Sequence, residues 1–229
     1  MHILISLAIS FSKGLLLGGS AFVIGWCMDR TISQSSRETI IQKDEIMYEI
    51  GQQAVITNLL IITPVIYTFV DQSILSHEDT FSIFSFLGLI IFQNVSYFFI
   101  HREMHRNPYL LWMHRFHHYY DFITIPSAAH IVSTSEFIIG YVSPMVAGAY
   151  IIKPTEVEFV SATEIITLFN LLLHTYELNN VKWIPGFVSP TQHIEHHRIR
   201  NKHYAAPLLN VDEYFYYLSE YMLKHNKNT

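Results

Sequence analysis

Residues 80–118 read TFSIFSFLGLIIFQNVSYFFI, HREMH, RNPYLLWM, HRFHH. The first block, Thr80 to Ile100, carries no charge. Wound as a helix at about 1.5 Å per residue it spans about 31 Å, the thickness of a bilayer core. Histidines begin where that apolar run stops. His101 and His105 make an HxxxH, and His114, His117 and His118 make an HxxHH; a second HxxHH, His193, His196 and His197, arrives far downstream. On a helix, positions i, i+3 and i+4 share a face, so each cluster is expected to present its imidazoles as one patch. Neutral imidazole ligates iron, zinc, copper and nickel, and eight such groups exceed what one tetrahedral ion can use. The spacing therefore predicts a two-metal site standing at a membrane–water boundary. Affinity tags run consecutively, whereas these histidines are separated by helical turns.

Working outward, the composition agrees. Half of the 229 residues are hydrophobic and 14% are charged, against about 25% charged in soluble domains. A formal net charge of −5 excludes the basic footprint of a nucleic-acid binder. The single cysteine, Cys27, allows no internal disulfide and is expected to pack as an apolar residue near a helix end. Residues 1–28 hold one strong charge, Lys13, without the basic start and small-residue cleavage site of a removable signal, and read as a membrane helix. Residues 29–49 mix both charges and suit a solvated loop with a short amphipathic helix. Ile50 to Val70 is again uncharged, with a kink expected at Thr63-Pro64, and pairs with 80–100 as a transmembrane hairpin around the acidic 71–79 turn. Phe137 to Ile152 is short for a full span. Residues 157–173 are apolar apart from Glu158 and Glu164; the latter is a functional candidate at membrane depth. This second pair crosses the bilayer or forms a shallow hairpin. The expected fold is all-α, an integral-membrane bundle of about four transmembrane or hairpin helices capped by a cytosolic helical metal-binding domain. A natural division is 1–50, membrane helix and polar connector, and 51–229, the metal domain.

Punctuation places the histidines on helices. Asn107 and Pro108 suit the N-cap and first position of a helix carrying His114, His117 and His118. Ser189-Pro190-Thr191-Gln192 combines a capping box with proline at the first turn, which sets His193, His196 and His197 in two turns of helix. Lys and Arg gather at 30–43, 102–115 and 182–202, while the 71–79 turn has none. The positive-inside rule then puts every cluster on the cytoplasmic side. The tail, 212–229, reads as an amphipathic helix lying on the body.

HxxxH, eight residues, HxxHH, a lone His174 and HxxHH together resemble the fatty acid hydroxylase/sterol desaturase superfamily of integral-membrane di-iron oxygenases, over about residues 80–215. Ile125-Pro126-Ser127-Ala128-Ala129-His130, His174-Thr175-Tyr176, His203-Tyr204 and Asn210-Val211-Asp212 match further stretches of that family. Two departures stand out. Ser133-Thr134-Ser135-Glu136 replaces a common His-Pro-x-acid motif, and Val211 stands where tryptophan usually precedes the final aspartate. The resemblance implies two non-haem irons held by His101, His105, His114, His117, His118, His193, His196 and His197, with His174 and His130 as further ligands. It also implies O2 as co-substrate and attack on an unactivated C–H bond of a membrane lipid, by hydroxylation or desaturation. Electrons would come from a separate cytochrome or ferredoxin, since the chain has no His-Pro-Gly-Gly of a fused haem domain. The membrane would be endoplasmic reticulum in a eukaryote and the inner membrane in a bacterium.

Ligand histidines usually pass their second N–H to a carboxylate or carbonyl; Asp121, Glu136, Glu177, Glu195 and Asp212 are candidates. Binding needs unprotonated imidazole, so activity is expected to fall below about pH 6.5. Phe98, Phe99, Trp112 and Phe116 are candidate guides for an acyl chain or sterol. Three rival readings exist. A zinc protease is disfavoured because the acid of His101–His105 is Glu103, at the third position and not the second. A metal transporter would place its ligands at mid-membrane. An inactive family member is the third.

Overall fold

The computed structural model describes residues 2–78, 80–121 and 123–226. Nine helical elements follow in order among them: α1 (His2–Thr31), α2 (Gln34–Lys43), α3 (Glu45–Ser73), α4 (Ile83–Arg106), α5 (Pro108–His114), α6 (Thr134–Ile152), α7 (Glu156–Leu173), α8 (Pro190–Ile199) and α9 (Val211–Asn226). Short 3₁₀ turns at His117–Tyr119, Pro126–His130 and Tyr176–Leu178 connect them. The described residues form no strand beyond two isolated bridges, as the all-α expectation requires. α1, α3, α4 and α6 are each long and apolar enough to cross a membrane, and the chain is a multi-pass integral membrane protein. Their outward faces carry Ile3, Leu16, Phe69, Phe84, Ile91 and Tyr150 exposed, which suits a lipid solvent.

Two close approaches bind α1 to α3. A Cβ on Gly18 would fall 1.9 Å from the Leu59 carbonyl oxygen, and one on Gly14 would fall 2.7 Å from Pro64 Cα. Only glycine lets the backbones meet there, the usual device for helix association in lipid. Both α3 and α6 widen into π-helical turns, Thr57–Ile62 and Phe137–Val142. Each turn runs into a hydroxyl residue and a proline, Thr63-Pro64 and Ser143-Pro144. Proline removes one N–H from the ladder. The hydroxyls then bond exposed carbonyls, Thr63 Oγ1 to Asn58 O at 2.9 Å and Ser143 Oγ to Ile139 O at 2.6 Å. The expected kink at Thr63-Pro64 is thus a π-turn with a second copy in α6.

The helices alternate in direction, and hydrogen bonds mark the two ends. At one end Asp29 of α1 accepts from the Ser127 backbone at 2.9 Å, and Gln52 of α3 donates to Ser127 Oγ at 3.1 Å. At the other, Lys13 pairs with Glu156 at 2.7 Å, and the Ser76 N–H reaches the Pro154 carbonyl at 2.8 Å. The histidine-bearing ends of α4 and α7 lie with Ser127. An apolar core of Leu17, Tyr67, Leu89, Met145, Phe159 and Ile166 fills the interior between the ends.

Three expectations need correction. Residues 29–49 are helical almost throughout, because α2 forms and Asp44 caps α3 by accepting from the Met47 N–H at 3.0 Å. Cys27 is exposed on α1 rather than packed inside. α6 begins at Thr134, which gives 19 residues and enough length to cross. α7 is not among the four candidate spans; it packs inside the bundle, where Glu164 accepts from Ser20 Oγ at 2.6 Å. The tail helix α9 rests on α4, with Phe215 stacked on Phe98 at 5.5 Å; residues 227–229 of the expected tail lie outside the described residues.

Candidate metal centre

Nine histidines converge in two nests. His101, His105, His114, His118 and His196 form the first, and His117, His174, His193 and His197 the second; within each nest one ligating nitrogen per ring lies within 4.8 Å of all the others. All are buried except His105, which is half-buried. His101 and His105 of the HxxxH share one nest as expected, but the two HxxHH motifs do not act as single patches. Each HxxHH sends its i, i+4 pair to one nest and its middle histidine to the other: His114 and His118 against His117, and His193 and His197 against His196. Neighbouring helical residues diverge by about 100°, so adjacent histidines point into different nests. The first HxxHH also leaves the helix. α5 ends at His114, and His117 and His118 sit in a 3₁₀ turn. The second stays on α8, where Ser189 and Gln192 form the expected capping box.

Backbone carbonyls fix the tautomers. His101 Nδ1–H donates to Tyr204 O at 2.8 Å, His196 Nδ1–H to Lys202 O at 2.7 Å, and His174 Nδ1–H to Asn170 O at 2.8 Å. A carbonyl can only accept, so each Nδ1 carries the proton and each Nε2 is a bare lone pair. The Nε2 atoms of His101 and His196 nevertheless face each other at 3.1 Å. His114 closes on His101 at 3.0 Å and on His118 at 2.8 Å, and His105 on His196 at 3.0 Å. In the second nest His174 meets His193 at 3.0 Å and His117 at 3.3 Å, and His193 meets His197 at 3.3 Å. Facing lone pairs repel unless a cation sits among them. Nitrogens about 2.1 Å from one ion lie about 3.0 Å apart at right angles and about 3.4 Å apart in a tetrahedron. Both nests fit a metal site.

Burial keeps these rings neutral. His114, His117, His118, His193, His196 and His197 are all held well below the ordinary imidazole value by desolvation, reinforced by neighbouring imidazoles. His174 is lowered to about 4 and His130 to about 3 by the same burial. Neutral imidazole is the metal-binding form.

Of the five candidate acids, Glu136 alone among the described residues reaches a nest ring, accepting from His114 Nδ1–H at 2.6 Å with both side chains buried. Ser133 makes this possible. Its Oγ caps the start of α6 by accepting from the Glu136 N–H at 3.1 Å and donates to Met113 O at 2.9 Å. The departure from His-Pro-x-acid therefore keeps an acid on the site. Glu177 takes Ser33 and Ser36 instead, Glu195 takes Lys202 and His203, Asp121 lies 4.0 Å from Arg200, and Asp212 accepts from the Ala205 N–H. Sequence reasoning missed the Tyr204 and Lys202 carbonyls. Arg200 and His203 both take positive φ, 64° and 58°, and the turn between them returns Lys202 O to His196. Side chains do not encode such acceptors.

His130 lies in neither nest. It lines an interior cavity together with Gln93 and apolar side chains of α1, α3, α6 and α7. None of Phe98, Phe99, Trp112 or Phe116 lines that cavity; Phe98 packs against α9, and Phe99 and Trp112 are exposed.

Comparison with known proteins gives one result. A family model described as fatty acid hydroxylase matches residues 86–217, which includes every histidine of both nests. No curated protein and no solved structure matches the chain.

Proposed function

The chain belongs to the fatty acid hydroxylase family, within the fatty acid hydroxylase/sterol desaturase superfamily, and on that premise we propose that it is a membrane di-iron oxygenase acting on a lipid. The observation that carries the reading is the set of Nε2 atoms facing one another at 2.8–3.3 Å in two buried nests. His101, His105, His114, His118 and His196 would hold one iron, and His117, His174, His193 and His197 the other. The bound irons with O2 supply the oxidising chemistry that no side chain can.

The protein's own residues do the rest. Tyr204, Lys202 and Asn170 carbonyls orient His101, His196 and His174 and hold their protons on Nδ1. Glu136 does this for His114 from its place at the start of α6. The surrounding bundle excludes water, and its lipid-facing exterior gives an apolar substrate access from the bilayer. Arg106, Arg115 and Arg198 are exposed on or beside the histidine-bearing helices, which suits docking of a separate acidic electron carrier. The same cations favour a cytoplasmic position for this end of the bundle.

The test compares lipids of cells making the wild type with those making His101→Ala. A lipid that gains an oxygen or loses two hydrogens only with the wild type is the expected result. Identical profiles together with metal flux into vesicles would replace the oxygenase by a transporter.

A further inference from the structure

A partly open cavity of about 110 Å³ lies between α1, α3, α4, α6, α7 and the Pro126–His130 turn. Leu17, Val70, Met145 and Ile166 give its wall an apolar character. Thr63, Tyr67, Tyr141, Thr163 and Thr167 also line it, but two lining side chains hold buried polar atoms without a partner. Gln93 is 2% exposed and its Oε1 has no hydrogen-bond partner; His130 is 5% exposed and neither ring nitrogen has one. Buried polar atoms are normally paired, and leaving them unpaired is costly. Neighbouring polar residues in this bundle obey the rule. Asn94, the next residue along α4, donates to Ile90 O and accepts from the Leu208 and Leu209 N–H groups. Asn58 donates to Val132 O and accepts from Thr134 Oγ1. Among the buried side chains left unpaired, Gln93 and His130 are the two that line the cavity.

Their positions relate the cavity to the nests. Gln93 precedes His101 on α4 by about 12 Å of helix. His130 follows Ala129, whose carbonyl accepts from Asn170 Nδ2 at 3.4 Å, one turn before His174 on α7. The cavity thus lies between the apolar middle of the bundle and the histidine end. Its volume is of the order of a benzene site, so it holds a segment of a lipid, not the whole molecule.

We propose that this cavity takes a segment of an apolar chain bearing a hydroxyl group, and that Gln93 and His130 are the residues that select the hydroxyl. A hydroxyl can donate to Gln93 Oε1 and can either accept from or donate to a neutral imidazole. A carboxylate would enter with an uncompensated charge, and a carbonyl, which can only accept, could take the His130 N–H but would leave Gln93 Oε1 without a donor. The proposal narrows the lipid class of the oxygenase reading and rests on that reading for the occupant being a substrate.

The test is photolabelling of the full chain in phosphatidylcholine vesicles. The probes are a long-chain primary alcohol and the alkane of equal length, each carrying a mid-chain diazirine, with labelled residues mapped by mass spectrometry and metal per chain measured alongside. The wild type should be labelled at cavity residues such as Met145 at least about tenfold more by the alcohol than by the alkane. Gln93→Leu with His130→Phe should remove that excess without changing metal per chain, and His130→Asn should keep part of it. Should the double variant lose its metal, Gln93→Leu alone decides by the same criterion. Equal labelling of the wild type by both probes would mean that the two polar groups hold only water and would overturn the proposal, as would an excess that survives both substitutions. Selectivity without iron or turnover would leave the cavity assignment standing and remove the oxygenase; iron and turnover without selectivity would do the reverse.

Discussion

In the five-histidine nest, four rings are held from behind. His101, His114 and His196 have protein acceptors for Nδ1 at 2.6–2.8 Å, and His118 reaches His197 O at 3.4 Å. In the four-histidine nest only His174 has such a bond among the described residues. His193 and His197 offer Nδ1 to no protein group, and His117 has only the Ile131 backbone nearby without a full hydrogen bond. The donor chemistry is the same; the preparation differs. Rings fixed before an ion arrives lose little freedom when it binds. The first nest should therefore hold its metal tightly, and the second should exchange it.

The largest effect comes from the adjacent pair that the fold splits. His117→Ala and His118→Ala should each lower turnover by more than about a hundredfold, since even outer partners are worth 10–100-fold. Their release kinetics into a chelator should differ: His117→Ala removes the fast phase and His118→Ala the slow one. Loss of the same phase in both would break the division into two nests. Next, Glu136→Gln should weaken the slow-release metal by about 10–100-fold and leave the fast phase unchanged. A smaller loss, about tenfold or less, is expected for His105→Ala, because His105 is the one half-buried ring of its nest and the four fully buried rings stay in place.

The smallest effect is on pH. The folded rings are neutral, whereas an unfolded histidine takes up a proton at about 6.5. Their contribution to stability is full above 6.5 and is lost as pH falls toward the folded values, about 4 for His174. Between pH 6.5 and 5 His174 alone gives up about 2 kcal/mol. Thermal unfolding of metal-free protein should occur at a lower temperature at pH 5 than at pH 7.5, and an unchanged midpoint would contradict the buried, neutral nests.

Much of this was legible in the chain. Uncharged runs located the spans of α3 and α4, and Ser189 with Gln192 announced α8, because membrane thickness and helix capping are local constraints. Glu136 was readable as an acid at the position of a replaced motif. The allocation of His117 and His196 was not, since a pattern gives only spacing and the destination of a side chain depends on which helices meet it. The Tyr204 and Lys202 carbonyls were hidden for a related reason: any residue type can supply a carbonyl. Only a short helix was legible within residues 29–49, since mixed charge signals solvation, although Asp44 and Glu45 are good helix-start residues.

Nine imidazoles in two separable nests should hold two irons. Metal per chain, measured by elemental mass spectrometry on detergent-purified wild type and His193→Ala, tests it most directly. About two irons are expected in the wild type and about one in the variant, whereas one zinc or no metal in the wild type, or an unchanged count in the variant, would rule out the two-iron arrangement.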